Sequence, residues 1–176
     1  GSSPQSIPGV TIDGKNLVSS KEAMVLDELP KSISIIGAGA IGVEFAYFFN
    51  SFGSKVTLIE ALDQVLPRED AEIAGMLSQS LSDQGIDIRT AVRVEGVDKN
   101  SKGMKVQIKD GDSEEVISAD KVLMAVGVVG NTSDLGLQAA GISTHKAGVE
   151  VNGRMETNVK DIYAIGDVIG PPQLAH

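Results

Sequence analysis

The sequence predicts an α/β fold with a parallel sheet and a small antiparallel β-meander. Short apolar, β-branched runs alternate with segments whose apolar residues recur every three to four positions, which indicates strands alternating with amphipathic helices. Between residues 92 and 118, three such runs are separated only by turn-rich segments, as in a meander. With 176 residues and 41% apolar content, the chain is long enough for one sizeable core.

The first strand, the first helix and the second strand are predicted within residues 32–59. Residues 32–36 alternate towards apolar at Ile33, Ile35 and Ile36 and end in a glycine-rich turn, which is typical of a buried strand. From residue 40 onward, apolar residues recur at helical spacing until Gly53, a typical helix stop. Residues 56–59 are again short and β-branched. This succession predicts a βαβ unit with parallel strands.

The remaining elements follow from the same patterns. A second helix is predicted after Pro67, with Ile73, Leu77 and Leu81 on its apolar face and an end at Gly85. The predicted strands after it are a short one at residues 86–88, the meander at residues 92–97, 104–108 and 115–118, and further strands at residues 122–126 and 162–165.

The two ends of the chain lack this regular pattern. Residues 4–28 contain several prolines and glycines, so we expect an irregular connector. Gly1, Ser2 and Ser3 resemble a vector-derived remnant and are expected to lie outside the fold.

Composition excludes several classes of function. A net charge of -9 and a pI of about 4.6 argue against binding to nucleic acid or to anionic lipid. No run of about 18 apolar residues and no leader pattern is present, so we expect no membrane association and a cytoplasmic location. Without cysteine, the chain holds no disulfide or thiolate. His145 and His176 are far apart and indicate neither a metal site nor a catalytic triad.

The glycine-rich segment between the first strand and the first helix is the central motif. In residues 37–42, the first glycine permits a tight turn, the second lets backbone approach a pyrophosphate, and the third brings the helix close to the sheet. The helix start offers N–H groups and a partial positive charge to phosphates. Glu60 follows 18 residues after Gly42, at the end of the second strand. This combination predicts a Rossmann-like dinucleotide-binding domain.

Glu60 also favours one dinucleotide over the other. Its carboxylate can accept hydrogen bonds from ribose hydroxyls but repels a 2′-phosphate, so the sequence favours NAD(H) over NADP(H). Residues 61–64 contain no arginine, although Arg68 is not far in sequence. Glu44, among apolar neighbours, faces either the cofactor or an adjoining domain. Gly127 either lets the cofactor cross the sheet edge or is a plain turn glycine.

Several segments together resemble one known family over nearly the whole chain. The segments are Ile7-Pro8-Gly9-Val10, residues 37–44 with Glu60, Leu66-Pro67, and Tyr163-Ala164-Ile165-Gly166-Asp167-Val168. They resemble the pyridine nucleotide-disulfide oxidoreductases, and within that family they are most similar to the dihydrolipoamide dehydrogenases. Residues 128–131 depart from the pattern, because many relatives have two arginines, proline and asparagine there. That departure leaves the subfamily open.

The resemblance implies a set of cofactor-binding residues. Asp167 and Ala175 would contact FAD, and residues 173–176 would run beside the flavin ring, so His176 is not the family's catalytic base. The resemblance places no catalytic residue in this chain. The residues that it implies for NAD are Gly37, Ala38, Gly39, Ala40, Ile41, Gly42, Val43, Glu44, Glu60, Val92 and Gly127.

The same resemblance implies an organisation and a parent activity. Residues 1–29 would be the remnant and a connector from the FAD domain, residues 30–147 the NAD(H)-binding domain, and residues 148–176 the start of the second half of the FAD domain. The parent would be a homodimer that oxidises dihydrolipoamide on lipoyl domains through a disulfide, FAD and NAD+. The chain alone is expected to be inactive, because the cysteine pair and the catalytic base lie outside it.

Two alternatives remain open. The domain could belong to another flavin disulfide reductase or to an NADH oxidase, and Glu60 counts against the members that use NADPH. A non-catalytic NAD(H)-sensing module is the alternative of another class, and Asp167 counts against it because such a module has no use for half a flavin site.

Overall fold

A computed structural model describes residues 1–100 and 103–173, which form two compact units. The larger unit is Ser6–Gly127, and the smaller one combines Gly1–Gln5 with the chain from Val128 onward. These limits differ from the predicted boundaries after residues 29 and 147, since residues before 30 contribute a strand to the sheet of the larger unit. The assignment of residues 30–147 to one cofactor domain stays a prediction.

The secondary structure of the described residues runs in the following order. It consists of β1 (Ser2–Pro4), β2 (Leu17–Val18), α1 (Ser20–Ala23), β3 (Ser32–Ile36), α2 (Ala40–Ser51), β4 (Lys55–Ile59), α3 (Ala71–Asp83), β5 (Asp87–Arg89), β6 (Arg93–Asn100), β7 (Gly103–Asp110), β8 (Ser113–Ala119), β9 (Lys121–Met124), β10 (Val128–Gly130), β11 (Thr144–His145), β12 (Gly148–Val149) and a 3-10 helix (Gly166–Ile169).

The larger unit is built on a five-stranded sheet in the order β2-β9-β3-β4-β5, with every neighbouring pair parallel. The predicted parallel sheet and the βαβ unit of β3, α2 and β4 are confirmed. The chain leaves β3 towards β4 on one side and returns in β9 on the other, so β3 lies at a topological switch point. In open α/β sheets, ligands bind at the carboxyl ends of the strands next to such a point.

Two apolar layers cover the sheet of the larger unit. Alternate strand residues such as Ile33 and Ile35 pack with the buried faces of α2 and α3. Strand residues on the other face of the parallel sheet, such as Ile36 and Ile59, pack under the antiparallel sheet β6-β7-β8. This sheet confirms the predicted meander. The helices therefore lie on one face and the meander on the other.

Three expectations about local structure were wrong. Residues 4–28 are not merely a connector, because β2 pairs with β9 and α1 begins with a capping box at Ser19. Residues 162–165 form no strand, only an isolated bridge between Tyr163 and Glu156. Ile73 is 60% exposed, and Ala74 takes the buried position on α3 beside Leu77 and Leu81.

The expectation that the first three residues lie outside the fold was also wrong. Ser2 to Pro4 form β1, which pairs antiparallel with β10 in the smaller unit. The hydroxyl of Ser3 also donates to the side chain of Asn131 at 2.6 Å. Three residues of this segment pair with β10, and one side-chain hydrogen bond joins Ser3 to Asn131. The segment is therefore part of the smaller unit.

The helices within the described ranges are too short or too polar to cross a lipid bilayer.

The carboxylate of Asp13 organises the turn that leads into β2. Its Oδ1 accepts hydrogen bonds from the backbone N–H groups of Lys15, Asn16 and Leu17 at 2.8, 2.8 and 2.9 Å. Burial alone would raise the pKa of Asp13, but these donors outweigh it and lower the pKa from 3.8 to about 2.

Replacement of Asp13 by Ala is expected to lower the free energy of unfolding by about 1 kcal/mol at neutral pH. Because the pKa of Asp13 is lower in the folded state, its contribution is fully present above the unfolded value of 3.8 and is lost as the pH falls towards 2. Urea denaturation should therefore show the difference between the two proteins shrinking over that range. A difference as large at pH 2.5 as at pH 7 would contradict this assignment.

Candidate functional site

Two positions of the glycine motif between β3 and α2 have room only for glycine. Gly37 has a φ of +103°, a region that side chains rarely adopt, and a methyl group on it would overlap the carbonyl of Ala125, just beyond β9. A methyl group on Gly42 would overlap the carbonyl oxygen of Gly37, so α2 approaches the turn as closely as a backbone can. The first and third glycines are therefore required by packing within the larger unit.

Gly39 differs from the other two glycines of the motif. Its φ of -72° is open to any residue, and apart from its chain neighbours no atom of the described residues lies within 4 Å of the position that a Cβ would take. The described residues therefore leave the immediate surroundings of Gly39 open, as expected where a ligand approaches the backbone.

The start of α2 leaves its backbone donors free. The N–H groups of residues 39–42 have no acceptor among the described residues, and Gly39 supplies no side-chain cap. The other two helices begin differently, because Ser19 and Asp70 accept hydrogen bonds from the first backbone amides of α1 and α3. The uncapped helix start thus presents several N–H groups and the positive end of a helix dipole.

The side chain of Glu60 lies against this turn. Its Oε2 accepts a hydrogen bond from the N–H of Ala38 at 2.7 Å, and its Oε1 accepts one from the N–H of Leu62 at 3.0 Å. Glu60 is half-buried and follows β4 directly, so the carboxyl ends of β3 and β4 bring it to the turn. The structure therefore brings the predicted carboxylate and the predicted glycines together.

Arg89, on the strand that pairs with β4, has its side chain engaged elsewhere. Although the backbone carbonyl of Arg89 accepts from the N–H of Glu60 at 2.8 Å, the guanidinium group binds Asp87 at 2.8 Å and Glu115 at 3.2 Å. The hydrogen bond that Arg89 donates to the Asp87 carboxylate, together with the negative charge of that carboxylate, raises the pKa of Arg89. Among the described residues, no ion pair involves Glu60.

Four further residues that the sequence predicts for NAD occupy different environments. Val43 is buried against the sheet, whereas Glu44 is exposed on α2. The side chain of Val92 is 4% exposed and packs under the meander, so only its backbone can meet a ligand. Gly127 has a φ of +122°, and apart from its chain neighbours no atom of the described residues lies within 4 Å of a Cβ position.

Sequence reasoning missed the backbone contacts that hold the loop after β4. Leu66 has a φ of +46°, and its N–H donates to the carbonyl oxygen of Ala38 at 2.8 Å. Ala91 has a φ of +58°, and its N–H donates to the carbonyl oxygen of Leu62 at 2.7 Å. Neither residue type favours positive φ, so composition gave no signal for these contacts.

In the smaller unit, Asp167 lies in the 3-10 helix and is half-buried. Its Oδ2 accepts a hydrogen bond from the hydroxyl of Ser2 at 2.8 Å. A methyl group on Gly130 would lie 2.7 Å from the carbonyl oxygen of Val168, so β10 packs closely against this helix. Ala175, also predicted to contact FAD, lies outside the described residues.

Comparison with known proteins places this site in a family. The model of the family described as pyridine nucleotide-disulphide oxidoreductase matches residues 1–176. The dihydrolipoyl dehydrogenase of Rhizobium etli is 42% identical over 177 residues, which cover 100% of this chain and 37% of that protein. The chain thus spans little more than a third of that relative.

Solved structures agree with the sequence match. LpdA from Mycobacterium tuberculosis is 32% identical with a TM-score of 0.89, over 99% of this chain and 38% of that one. The HOCl-induced flavoprotein disulfide reductase RclA from Escherichia coli is 35% identical with a TM-score of 0.85, over 99% of this chain and 40% of that one. The chain belongs to the pyridine nucleotide-disulphide oxidoreductase family.

Proposed function

We propose that this chain binds NAD(H) at the start of α2 and that residues 30–147 belong to the NAD(H)-binding domain of a dihydrolipoamide dehydrogenase. The observation that carries the proposal is the set of free N–H groups at residues 39–42, beneath the empty space over Gly39. Donors of this kind at a helix start fit a pyrophosphate. The site lies at the switch point of the parallel sheet, where such ligands bind.

The carboxylate of Glu60 completes the fit to a dinucleotide. A carboxylate oxygen has two lone pairs, and each oxygen of Glu60 accepts one backbone hydrogen bond, which leaves capacity for two ribose hydroxyls. Because Arg89 is already paired with two carboxylates, it does not offset the repulsion between Glu60 and a 2′-phosphate. We therefore propose NAD(H), not NADP(H), as the ligand.

The other predicted residues have secondary roles in this proposal. Val43 and Glu44 follow the pyrophosphate turn along α2 towards the nicotinamide. The backbone of Val92 would lie beside the adenine. Gly127 leaves the carboxyl end of β9 free of a side chain, so that the cofactor can cross the sheet edge.

The whole protein's activity is inferred from the relatives. The curated relative from Rhizobium etli is a dihydrolipoyl dehydrogenase, and several others at 40–43% identity bear the same name. We propose that the parent passes electrons from dihydrolipoamide on lipoyl domains to NAD+, and that it is a homodimeric cytoplasmic enzyme. FAD supplies the electron relay beside a redox disulfide. Asp167 and Ala175 would hold this FAD, and the chain alone would catalyse no turnover.

A second candidate function has a specific observation in its favour. The similarity to RclA, a flavoprotein disulfide reductase, extends over 99% of the chain at 35% identity. The parent could therefore reduce a disulfide substrate other than lipoamide, with the same NAD(H) site. Assays of the parent with dihydrolipoamide and NAD+, and with other disulfides and NADH, distinguish the two.

Calorimetric titration of this chain with NADH and NADPH tests the proposal. We expect NADH to bind with a dissociation constant at least roughly tenfold below that of NADPH. Replacement of Glu60 by Ala should weaken NADH binding about 10- to 100-fold, because charged hydrogen bonds to the ribose are lost, and should abolish most of the preference over NADPH. An unchanged dissociation constant for NADH in the Glu60→Ala variant would refute the assignment of Glu60 to the ribose.

A further inference from the structure

Both polar backbone groups of Ala38 are held by the loop that follows β4. The N–H of Ala38 donates to Oε2 of Glu60 at 2.7 Å, and the carbonyl oxygen of Ala38 accepts from the N–H of Leu66 at 2.8 Å. Ala38 is fully buried, so water does not replace either partner freely. Ala38 is the second residue of the glycine turn and directly precedes the residue over which the space is empty.

The loop itself is held in place by a second set of contacts. Oε1 of Glu60 accepts from the N–H of Leu62, while the carbonyl oxygen of Leu62 accepts from the N–H of Ala91. The carbonyl oxygen of Glu60 accepts from the N–H of Val92 at 3.1 Å. The Glu60 carboxylate therefore joins the turn before α2 to a loop that is fixed to the segment between β5 and β6.

We propose that Glu60 is a positioning residue for the phosphate-binding turn, in addition to its role at the ribose. The inference rests on the proposed NAD(H) site and adds a second role at that site. The carboxylate fixes the peptide of Ala38, and this peptide sets the direction of the free N–H groups that follow at residues 39–42. Loss of Glu60 then weakens the binding of phosphates even when the ligand has no ribose hydroxyl to recognise.

This second role has a consequence for cofactor specificity. Removal of the carboxylate relieves the repulsion of a 2′-phosphate but also leaves the N–H of Ala38 without its acceptor. A buried donor without a partner is costly. Substitution of Glu60 alone should therefore lower the affinity for NADH. The variant should still bind NADPH more weakly than the unsubstituted chain binds NADH. Specificity at this site depends on keeping an acceptor for the N–H of Ala38.

Amide hydrogen exchange tests the contact without any ligand. In the Glu60→Ala variant, exchange at the N–H of Ala38 should be roughly tenfold faster or more, since the bond to the carboxylate is lost. The N–H of Gly37, which donates to the carbonyl oxygen of Ile59 at 2.8 Å, serves as the internal reference and should change little. Equal acceleration at both amides would indicate a general loosening of the unit and would overturn the proposal.

Two ligands separate the two roles of Glu60. ADP carries the ribose hydroxyls, whereas 2′,3′-dideoxy-ADP carries the same phosphates without them. If Glu60 positions the turn, Glu60→Ala weakens the binding of both ligands, and the dissociation constant of dideoxy-ADP rises roughly three- to tenfold. If Glu60 only recognises the ribose, dideoxy-ADP binds both proteins equally, and the proposal is wrong. If the unsubstituted chain binds neither ADP nor NADH, the proposed function fails, and amide exchange still decides the contact.

Two variants complete the design. Glu60→Gln keeps one acceptor oxygen and should give intermediate results for the exchange of Ala38 and for dideoxy-ADP. Asp13→Ala is the matched control, because it also removes a carboxylate that accepts backbone N–H groups, at the amino edge of the sheet. It should lower stability and leave Ala38 exchange and dideoxy-ADP binding unchanged. A similar effect of Asp13→Ala on Ala38 would show that stability alone explains the result.

Discussion

Replacement of Gly39 by Asp is expected to weaken NADH binding about 100-fold while the chain stays folded. The backbone of Gly39 (φ -72°, ψ -173°) is close to that of Ser19, which caps α1, so an aspartate can cap α2 in the same way. Its carboxylate would accept hydrogen bonds from the N–H groups that are otherwise free and would repel the pyrophosphate. Two charged hydrogen bonds lost to the ligand account for a factor of this size.

Asp70→Ala is the matched control for this experiment. Asp70 accepts hydrogen bonds from the N–H groups of Glu72 and Ile73 at the start of α3. Loss of this cap should lower the free energy of unfolding by about 1 kcal/mol and leave NADH binding unchanged. Gly39→Asp should show the opposite pattern, with a change in the free energy of unfolding below about 1 kcal/mol. If Gly39→Asp binds NADH as the unsubstituted chain does, the pyrophosphate does not use this helix start.

Replacement of Gly42 by Ala is expected to have the largest effect on folding. The added methyl group would overlap the carbonyl oxygen of Gly37, a backbone atom that cannot move unless α2 shifts away from the sheet. Overpacking of this kind costs about 1–3 kcal/mol or more. Because the shift also displaces the turn, NADH binding should be lost together with stability. Thermal and urea denaturation measure the first effect, and calorimetry measures the second.

A second helical glycine provides the control for Gly42. Gly75 lies inside α3, and no atom lies within 4 Å of the position of its Cβ. Gly75→Ala should raise the free energy of unfolding by about 0.5–1 kcal/mol, because alanine loses less conformational entropy in a helix. The two substitutions should therefore change stability in opposite directions. A stable Gly42→Ala variant that still binds NADH would mean that α2 and the turn are not in the close contact described.

The sequence was most informative where structure depends on neighbouring residues. The alternation of Ile33 and Ile35 with small residues, the helical spacing after residue 40 and the three glycines are local patterns, and the β3-α2-β4 unit follows them. Each glycine has the geometry that its place in the motif predicts. The position of Glu60 at the turn follows because parallel strands end at the same edge of the sheet.

Contacts between distant segments could not be predicted in the same way. Leu17 pairs with Val122 and Ser2 with Gly130, and neither short segment has a pattern that identifies a partner more than 100 residues away. Ile165 is the last residue of the apolar run at residues 162–165 that resembles a strand, yet it is 72% exposed. The positive φ of Leu66 accompanies its hydrogen bond to Ala38, and its residue type does not favour that conformation.

The most direct test of the NAD(H) site is an NMR titration of the chain with NADH, followed at assigned backbone amides. We predict saturable shifts that are largest at residues 39–42, whose N–H groups have no acceptor within the described part of the chain, with smaller shifts at Glu60. Shifts confined to the meander of residues 93–119, with the amides of residues 39–42 unchanged at saturation, would contradict it.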